Sequence, residues 1–247
     1  MNFHILVLAY HQFENFKRFL GDLLGSSLSK NSKIWVVENR SINTDKKFAP
    51  MLKDLLSRKL IYRYICFQEN IANSAVQIML EEFGEELFEN EYIIITDGDL
   101  SFDCDASHQE SLSILKMHPR NDFCSLRLDT ENLPVDKCQN TADWFPEYIP
   151  SCCHYIGHGG IHFSHFRCSN IKEYTQFAKE NKTPFLDSDI NRFLRSKCFT
   201  PCITRLNTAL HLTWNDYSNS STYFVNKEKL PSDIWTKFKS AGFDLHD

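Results

Sequence analysis

The sequence predicts an α/β protein built on a mostly parallel central sheet flanked by helices. Two observations carry this. Apolar runs of strand length, Phe3 to Ala9, Ile34 to Val37, Leu60 to Phe67 and Tyr92 to Thr96, each lead into a polar turn. Between them, apolar residues recur at the three- and four-residue spacings of helices packing one face on a sheet. Such alternation puts helices over both faces of a parallel sheet. The turns that follow its strands then share one rim, where ligands bind in sheets of this kind.

Taken in order, Phe3 to Ala9 has no helical period and reads as a central strand. Tyr10, His11 and Gln12 turn out of it, and Phe13, Phe16, Leu20, Leu23 and Leu24 mark a helix that stops at Gly25-Ser26-Ser27. A second strand closes in Glu38-Asn39-Arg40-Ser41. A helix over about 47–57, a strand over 60–67, the polar turn Gln68-Glu69-Asn70 and a helix over about 72–87 follow. Next comes the strand that runs into Asp97-Gly98-Asp99. Beyond it the pattern gives a helix over about 106–117 and a strand over 123–128. A long loop from Asp129 to Cys153 contains Pro134, Pro146 and Pro150, and loops of that length in a compact domain are usually lids or binding loops. A helix over 187–195, a strand over 202–210, a polar mobile stretch over 215–222 and a last helix over 231–241 complete the reading. That last helix, with Trp235 and Phe238 on one side, caps the core; docking on a membrane surface is its minor reading.

Composition sets outer limits. The 247 residues, 42% hydrophobic and 13% aromatic, suffice for one continuous domain with a sizeable core. A net charge of −5 with no Lys/Arg block disfavours a nucleic-acid partner. The nine cysteines are odd in number and include no Cys-x-x-Cys pair, so they form neither a disulfide framework nor a zinc ribbon and read mostly as small packing groups. The first residues carry no basic start or cleavage site. No stretch approaches the ~20 apolar residues that span a bilayer. Together these lead to the expectation of a cytoplasmic protein.

The acidic turn is the candidate centre. Two carboxylates one glycine apart at the end of a rigid strand repel each other, and a divalent cation between them removes the penalty. Oxygen ligands with room for water and phosphate suit Mg²⁺ or Mn²⁺ better than zinc. The bland reading is an ordinary Asp-Gly turn. Strand order brings Tyr10, His11, Glu38, Asn39, Asn70, Asp97 and Asp99 to the same rim. The first turn has neither Gly-x-Gly-x-x-Gly nor Gly-x-x-x-x-Gly-Lys, which disfavours a dinucleotide or P-loop site. His154, His158, His162 and His165 are spaced as on a helix, but Gly157, Gly159 and Gly160 oppose a helix there. Core or surface histidines are the default, and the glycines let backbone approach a ligand or a strand. Asp187 sits where a helix begins and reads first as an N-cap.

In sequence order these stretches resemble the nucleotide-sugar glycosyltransferases of the GT-A (Rossmann-like) fold, particularly the family 2 type. The opening strand and helix, Trp35-Val36-Val37-Glu38-Asn39, Gln68-Glu69-Asn70-Ile71-Ala72, Thr96-Asp97-Gly98-Asp99, Gly157 to Arg167 and Leu186 to Phe199 match that family's motifs over residues 3–214. The sequence departs from them at Tyr10-His11, at Leu186 in place of Glu, and at Ala72 and Cys198 in place of Gly.

The resemblance implies a nucleotide-binding half over 1–100, an acceptor and catalytic half over 101–214 and a tail over 215–247. It implies that Glu38 and Asn39 bind the base, flanked by Ala9, Tyr10 and His11, with Asn70, Gly98, Gly159 and Gly160 also at the donor. Asp97 and Asp99 would engage Mn²⁺ or Mg²⁺ on the diphosphate, His211 would complete that metal site, and Asp187 would be the base acting on an acceptor hydroxyl. A UDP-sugar is the favoured donor, and a saccharide, glycolipid or glycoprotein the acceptor. The expected activity is therefore an inverting, metal-dependent glycosyltransferase acting in glycan or surface-polysaccharide synthesis. The competing readings are a sugar-phosphate enzyme (nucleotidyltransferase or phosphatase) and a catalytically silent nucleotide-sugar-binding module.

Overall fold

The computed structural model describes residues 3–133, 148–218 and 233–247. Strand β1 (Phe3–Tyr10) lies between β2 (Ser32–Asn39) and β4 (Tyr92–Asp97), and β3 (Arg63–Phe67) continues the sheet beyond β2, all parallel. Period-two alternation sends the side chains of these strands to opposite faces. Ile5, Val7 and Ile94 pack into one apolar cluster with Phe16, Phe19, Leu20 and Leu23 of helix α1 (Phe13–Gly25), Leu52 of α2 (Ala49–Ser57) and Ile114 and Leu115 of α5 (Cys104–Met117). Leu6, Trp35, Ile93 and Ile95 pack into the other. There they meet Val76 and Met79 of α3 (Ser74–Glu82), Ile171 and Tyr174 of α6 (Cys168–Asn181), and Ile190 and Leu194 of α7 (Asp187–Ser196). Burial on both faces is why the strands read as near-continuous apolar runs.

The central strands β1 to β4 are parallel as expected, and the sheet as a whole is mixed. Strand β9 (Ser164–Arg167) is inserted antiparallel between β4 and β6 (Asn121–Leu128), and the long β10 (Thr200–His211) runs parallel to β6. A hairpin of β7 (Ile149–Pro150) and β8 (His154–Ile156) pairs antiparallel with β10 and forms one edge. The short β5 (Leu100–Ser101) pairs with the far end of β10.

Other elements also differ from the sequence reading. The helix expected over 72–87 is broken at Phe83-Gly84 into α3 and a single turn, α4 (Gly84–Leu87), in keeping with the weak helix propensity of glycine. Helix α6 was not anticipated, although Ile171, Tyr174, Thr175 and Ala178 are its buried stripe. The expected last helix is not formed over its described residues. Asp233 O accepts from the amides of Thr236 (3.2 Å) and Lys237 (3.0 Å) in a single turn, and β11 (Phe243–His246) then pairs antiparallel with β3 at the other edge. The stretch read as mobile begins as α8 (Thr213–Ser218). Its remainder, and residues 134–147 of the long loop, lie outside the described residues. No helix among the described residues is long and apolar enough to cross a membrane.

Candidate active site

The parallel register sets Leu8 beside Asp97 and Tyr10 beside Asn39, so the carboxyl ends of β1, β2 and β4 finish level. A cleft opens at this rim, lined by Ala9, Tyr10, Gln12, Asn39, Ala72, Asn73, Asp97, Gly98, Asp99, His211 and Trp235. Of the expected donor residues, Ala9, Tyr10, Asn39, Asp97 and Gly98 reach it.

The acidic turn is folded tightly against β1. A side chain on Gly98 would begin 2.6 Å from the Phe16 ring and 2.9 Å from the Leu8 carbonyl, which instead accepts the Gly98 amide at 2.9 Å. Only glycine permits that approach. Asp99 is tied to the chain more than a hundred residues later. Pairing of β5 with β10 sets His211 opposite Leu100, the Leu212 amide donates to Asp99 O at 2.8 Å, and the Thr213 hydroxyl donates a short hydrogen bond to Asp99 Oδ2. The His211 ring stacks on Trp214, with centroids 4.9 Å apart and planes within 6°.

One ligand atom from each of Asp97, Asp99 and His211 lies within 4.8 Å of the other two. His211 Nδ1 is buried, sits 3.6 Å from Asp99 Oδ2 and makes no hydrogen bond among the described residues. A shielded nitrogen without a hydrogen-bond partner beside two carboxylates is a donor set that a divalent cation satisfies and that protein groups here do not. The residues therefore fit a Mg²⁺ or Mn²⁺ ion.

Asp187 approaches the same region through the glycine-rich loop and His162. It is the first residue of α7, and Asn191, one turn on, donates Nδ2 to the carbonyls of Asp187 (2.6 Å) and Gly159 (2.7 Å) while its Oδ1 accepts from the Gly159 amide (3.2 Å). The helix start is thereby locked to the glycine-rich loop. The Gly160 carbonyl accepts from the hydroxyls of Ser125 (2.7 Å) and Ser164 (2.6 Å). A side chain at Gly160 would begin 2.4 Å from His162 Nε2 and 3.1 Å from Asp187 Oδ2. Asp187 Oδ1 is shielded and without a hydrogen-bond partner. Burial, opposed by the positive charge His162 can carry and reinforced by the charge of Asp97, pushes its pKa up to about 6.

His162 connects the two halves of the site. Its Nδ1 lies 3.6 Å from Asp97 Oδ2, an ion-pair rather than a hydrogen-bond distance. Burial works against its charge, but the carboxylate of Asp97, with Asp187 and Asp99 behind it, outweighs burial and leaves its pKa raised. The sequence reading left His162 among core or surface histidines. Its one signal was its position just after Gly159-Gly160. Asn191, Thr213 and Trp235 were missed as well, because their contacts join residues far apart in the chain.

Two expected donor residues are placed elsewhere. Glu38 is fully buried, with Oε1 accepting from Thr44 Oγ1 and Oε2 from the Tyr64 hydroxyl, both at 2.5 Å. It faces the core beneath the rim because residues 34, 36 and 38 alternate onto one face, with Ile34 and Val36 packed beside Tyr64. In this structure it offers no oxygen to a nucleotide base. His11 is likewise buried below the rim, in left-handed backbone (φ 53°), and burial lowers its pKa. Asn39, though at the cleft wall, spends its amide on the next turn, accepting from Ile71 N at 3.0 Å and donating to Ala72 O at 3.1 Å. Asn70 closes that turn by accepting from Ala72 N at 3.0 Å.

The other expected histidines separate. His165 is fully buried with Nε2 2.9 Å from His108 Nδ1, and His154 lies in β8 against Cys153.

Fold and rim together define a class: the chain has the GT-A fold of nucleotide-sugar glycosyltransferases, and Asp97, Asp99 and His211 form a group that resembles an Asp-x-Asp site. Solved structures similar to it include TarS of S. aureus in complex with UDP-GlcNAc, with TM-score 0.54 and 12% identity over 86% of this chain and 61% of that one. The mannosyltransferase PcManGT from Pyrobaculum calidifontis, in complex with GDP-Man and Mn²⁺, gives 0.58 and 13% over 85% and 56%. GalNAc-T7 with UDP, GalNAc and Mn²⁺ gives 0.59 and 8% over 85% and 44%. No family model matches the chain. Three uncharacterized proteins of Acanthamoeba polyphaga mimivirus are 30%, 28% and 26% identical, each over 98% of this chain. The chain spans only 33%, 28% and 50% of their respective lengths.

Proposed function

We propose that this chain is a metal-dependent glycosyltransferase that moves a sugar from a nucleoside-diphosphate donor to an acceptor hydroxyl with inversion. The observation that carries the reading is the convergence of Asp97, Asp99 and His211 on one rim, with Asp187 held near them through Gly159-Gly160 and His162. Asp97, Asp99 and His211 would hold a Mg²⁺ or Mn²⁺ ion, whose charge offsets the negative charge developing on a leaving diphosphate. The cleft walls at Ala9, Tyr10, Asn39 and Asn73 would take the nucleoside. Asp187 would accept the proton of the attacking hydroxyl. A carboxylate with a pKa raised to about 6 is mostly ionised at neutral pH and still a better proton acceptor than an exposed one. His162, between Asp97 and Asp187, would keep the two carboxylates from repelling each other.

A UDP-sugar is the first donor to test, since TarS and GalNAc-T7 are solved with uridine nucleotides; PcManGT with GDP-Man makes guanosine the second. Thermal unfolding of the wild type and of Asp99→Ala should be measured with UDP, GDP, CDP and dTDP, each with and without Mn²⁺. A nucleotide at a hundred times its dissociation constant stabilises the native state by roughly 2.7 kcal/mol. The expected result is one nucleotide that acts only with Mn²⁺ and only on the wild type. Stabilisation by none of them sinks the donor site.

A further inference from the structure

The geometry points to a second metal site, a thiophilic one, at the β7–β8 edge of the sheet, opposite the edge formed by β3 and β11: His118, Cys152 and Cys153 are arranged to bind a zinc-class d¹⁰ cation that staples the β7–β8 hairpin to the end of α5. One ligand atom from each lies within 4.8 Å of the others. The separations fit such an ion closely. Zn–S near 2.3 Å and Zn–N near 2.0–2.1 Å at tetrahedral angles require S···S of about 3.8 Å and S···N of about 3.6 Å. Here the two sulfurs are 3.7 Å apart, and His118 Nε2 lies 3.3 Å from Cys153 Sγ and 3.8 Å from Cys152 Sγ.

Backbone fixes these groups before any ion arrives. His118 caps α5, its amide donating to Ile114 O at 3.1 Å and its carbonyl accepting from Asn121 N at 2.9 Å. Cys152 and Cys153 are the two loop residues of the hairpin, closed by Ser151 N to His154 O at 2.8 Å. Arg205 Nη1 donates to the carbonyls of Ser151 (3.3 Å) and Cys152 (3.2 Å), holding that loop and placing a positive charge beside it.

His154 has the position of a supporting group. Asn121 Nδ2 lies 3.4 Å from its Nε2, so Nδ1, 3.6 Å from Cys153 Sγ, is left to carry the ring proton toward that sulfur. An N–H aimed at a ligand sulfur holds that sulfur in orientation for a metal. Three protein ligands and an open position beside the exposed Cys152 leave the fourth coordination place to water. Adjacent cysteines in a hairpin and a histidine 34 residues earlier fall outside the spacings by which zinc sites are read from sequence.

The test uses the full chain, reduced with a non-thiol reductant, stripped of metal and titrated with Co²⁺. The expected result is one equivalent that produces a near-ultraviolet thiolate-to-cobalt charge-transfer band together with the visible absorption of a tetrahedral ion, reversed by one equivalent of Zn²⁺. Cys152→Ser and Cys153→Ser should each clearly weaken the charge-transfer band, since one thiolate of two is lost, and His118→Gln should lose most of the bound ion, while Asp99→Ala keeps both. Metal-free melting curves of the variants separate lost ligation from lost folding, and the exposed Cys152 carries the test alone if Cys153→Ser does not fold. Absence of the band in the wild type, its undiminished intensity in a folded Cys152→Ser, or its loss in Asp99→Ala would overturn the site.

Discussion

Replacing Glu38 with alanine separates two roles that one acidic residue at the end of β2 can have. If it anchors the turn beneath the rim, its loss strips acceptors from two hydroxyls, Thr44 Oγ1 and the Tyr64 OH, in a fully buried setting. Each stranded donor costs about 1–3 kcal/mol, and the lost methylene about 0.8 kcal/mol more. Relief of a carboxylate whose pKa is raised by burial, against the opposing hydrogen bonds of Thr44 and Tyr64, returns part of this. The net destabilisation is then about 3–5 kcal/mol, a large share of the roughly 5–15 kcal/mol typical of a folded protein, or a fall of about 6–20 °C in melting temperature for a chain of this size. Glu38→Gln keeps the shape and most of the bonding, and should cost less than about 2 kcal/mol. Urea titration of the three proteins supplies the comparison. An alanine variant within about 1 kcal/mol of the wild type that has nonetheless lost nucleotide-dependent stabilisation would refute the anchoring role and restore Glu38 to the base site.

Asp187→Asn should keep Mn²⁺-dependent nucleotide binding and lower transfer by roughly 10²–10⁴-fold. In the wild type, kcat/KM should fall with decreasing pH through a limb at or below about pH 6, since Asp187 must be ionised and a bound cation only lowers its pKa; the variant should lack that limb. Gly160→Ala forces the His162 ring, 2.4 Å from the new carbon, to move, and a displacement near 1 Å at such a site costs on the order of 10²-fold in turnover, read as kcat with little change in unfolding midpoint. Asp122 is buried, with Oδ1 unpartnered, and burial, partly opposed by Arg167, pushes its pKa up to about 7. A raised carboxylate pKa gives stability that is complete below the unfolded value near 4 and lost as pH rises through 7. Asp122→Asn should therefore stabilise the protein by a few kcal/mol at pH 8, with the gain vanishing below about pH 4 in denaturant titrations. Cys198→Gly, at an exposed left-handed position (φ 62°), should raise stability by roughly 0.5–1 kcal/mol, measured by thermal melting.

What could be read from the sequence follows the range of the interactions that decide each feature. The strand into Asp97-Gly98-Asp99 was legible because Ile93, Ile94 and Ile95 have no alternative to a two-sided core. The reversal of the sheet after β4 was not, since β9 is held by pairing to β4 and β6 and its four residues carry no mark of direction. The aspartates of the site stood out locally, whereas His211 and Asp187 came only through resemblance to a family. His162 and Thr213 were invisible because their meaning lies in a partner far along the chain. Glu38 shows a different limit. Its residue type fits a base-binding acid, and only the period-two alignment with Ile34 and Val36 hints that it turns inward.

The departures from the family pattern at Ala72 and Cys198 look, in sequence, like evidence that the loops have changed shape. Backbone geometry argues the reverse. Ala72 has φ 48° and Cys198 φ 62°, both in the left-handed region that glycine occupies without penalty. Cys198 ends α7 in a left-handed cap, with its own amide donating to Arg195 O and the Phe199 amide reaching back to Leu194 O, both at 3.0 Å. Ala72 is pinned by Asn39 and Asn70 through its carbonyl and amide. Side chains have changed, yet the chain still adopts the conformation for which glycine is the easy choice, at a strain of about 1–2 kcal/mol per residue. At Ala72 that strain is held in place by hydrogen bonds from Asn39, at the cleft wall, and from Asn70. The turn beside the rim cleft and the end of the helix that begins at Asp187 therefore keep their form through contacts rather than composition, which is why motif matching alone underrates this chain.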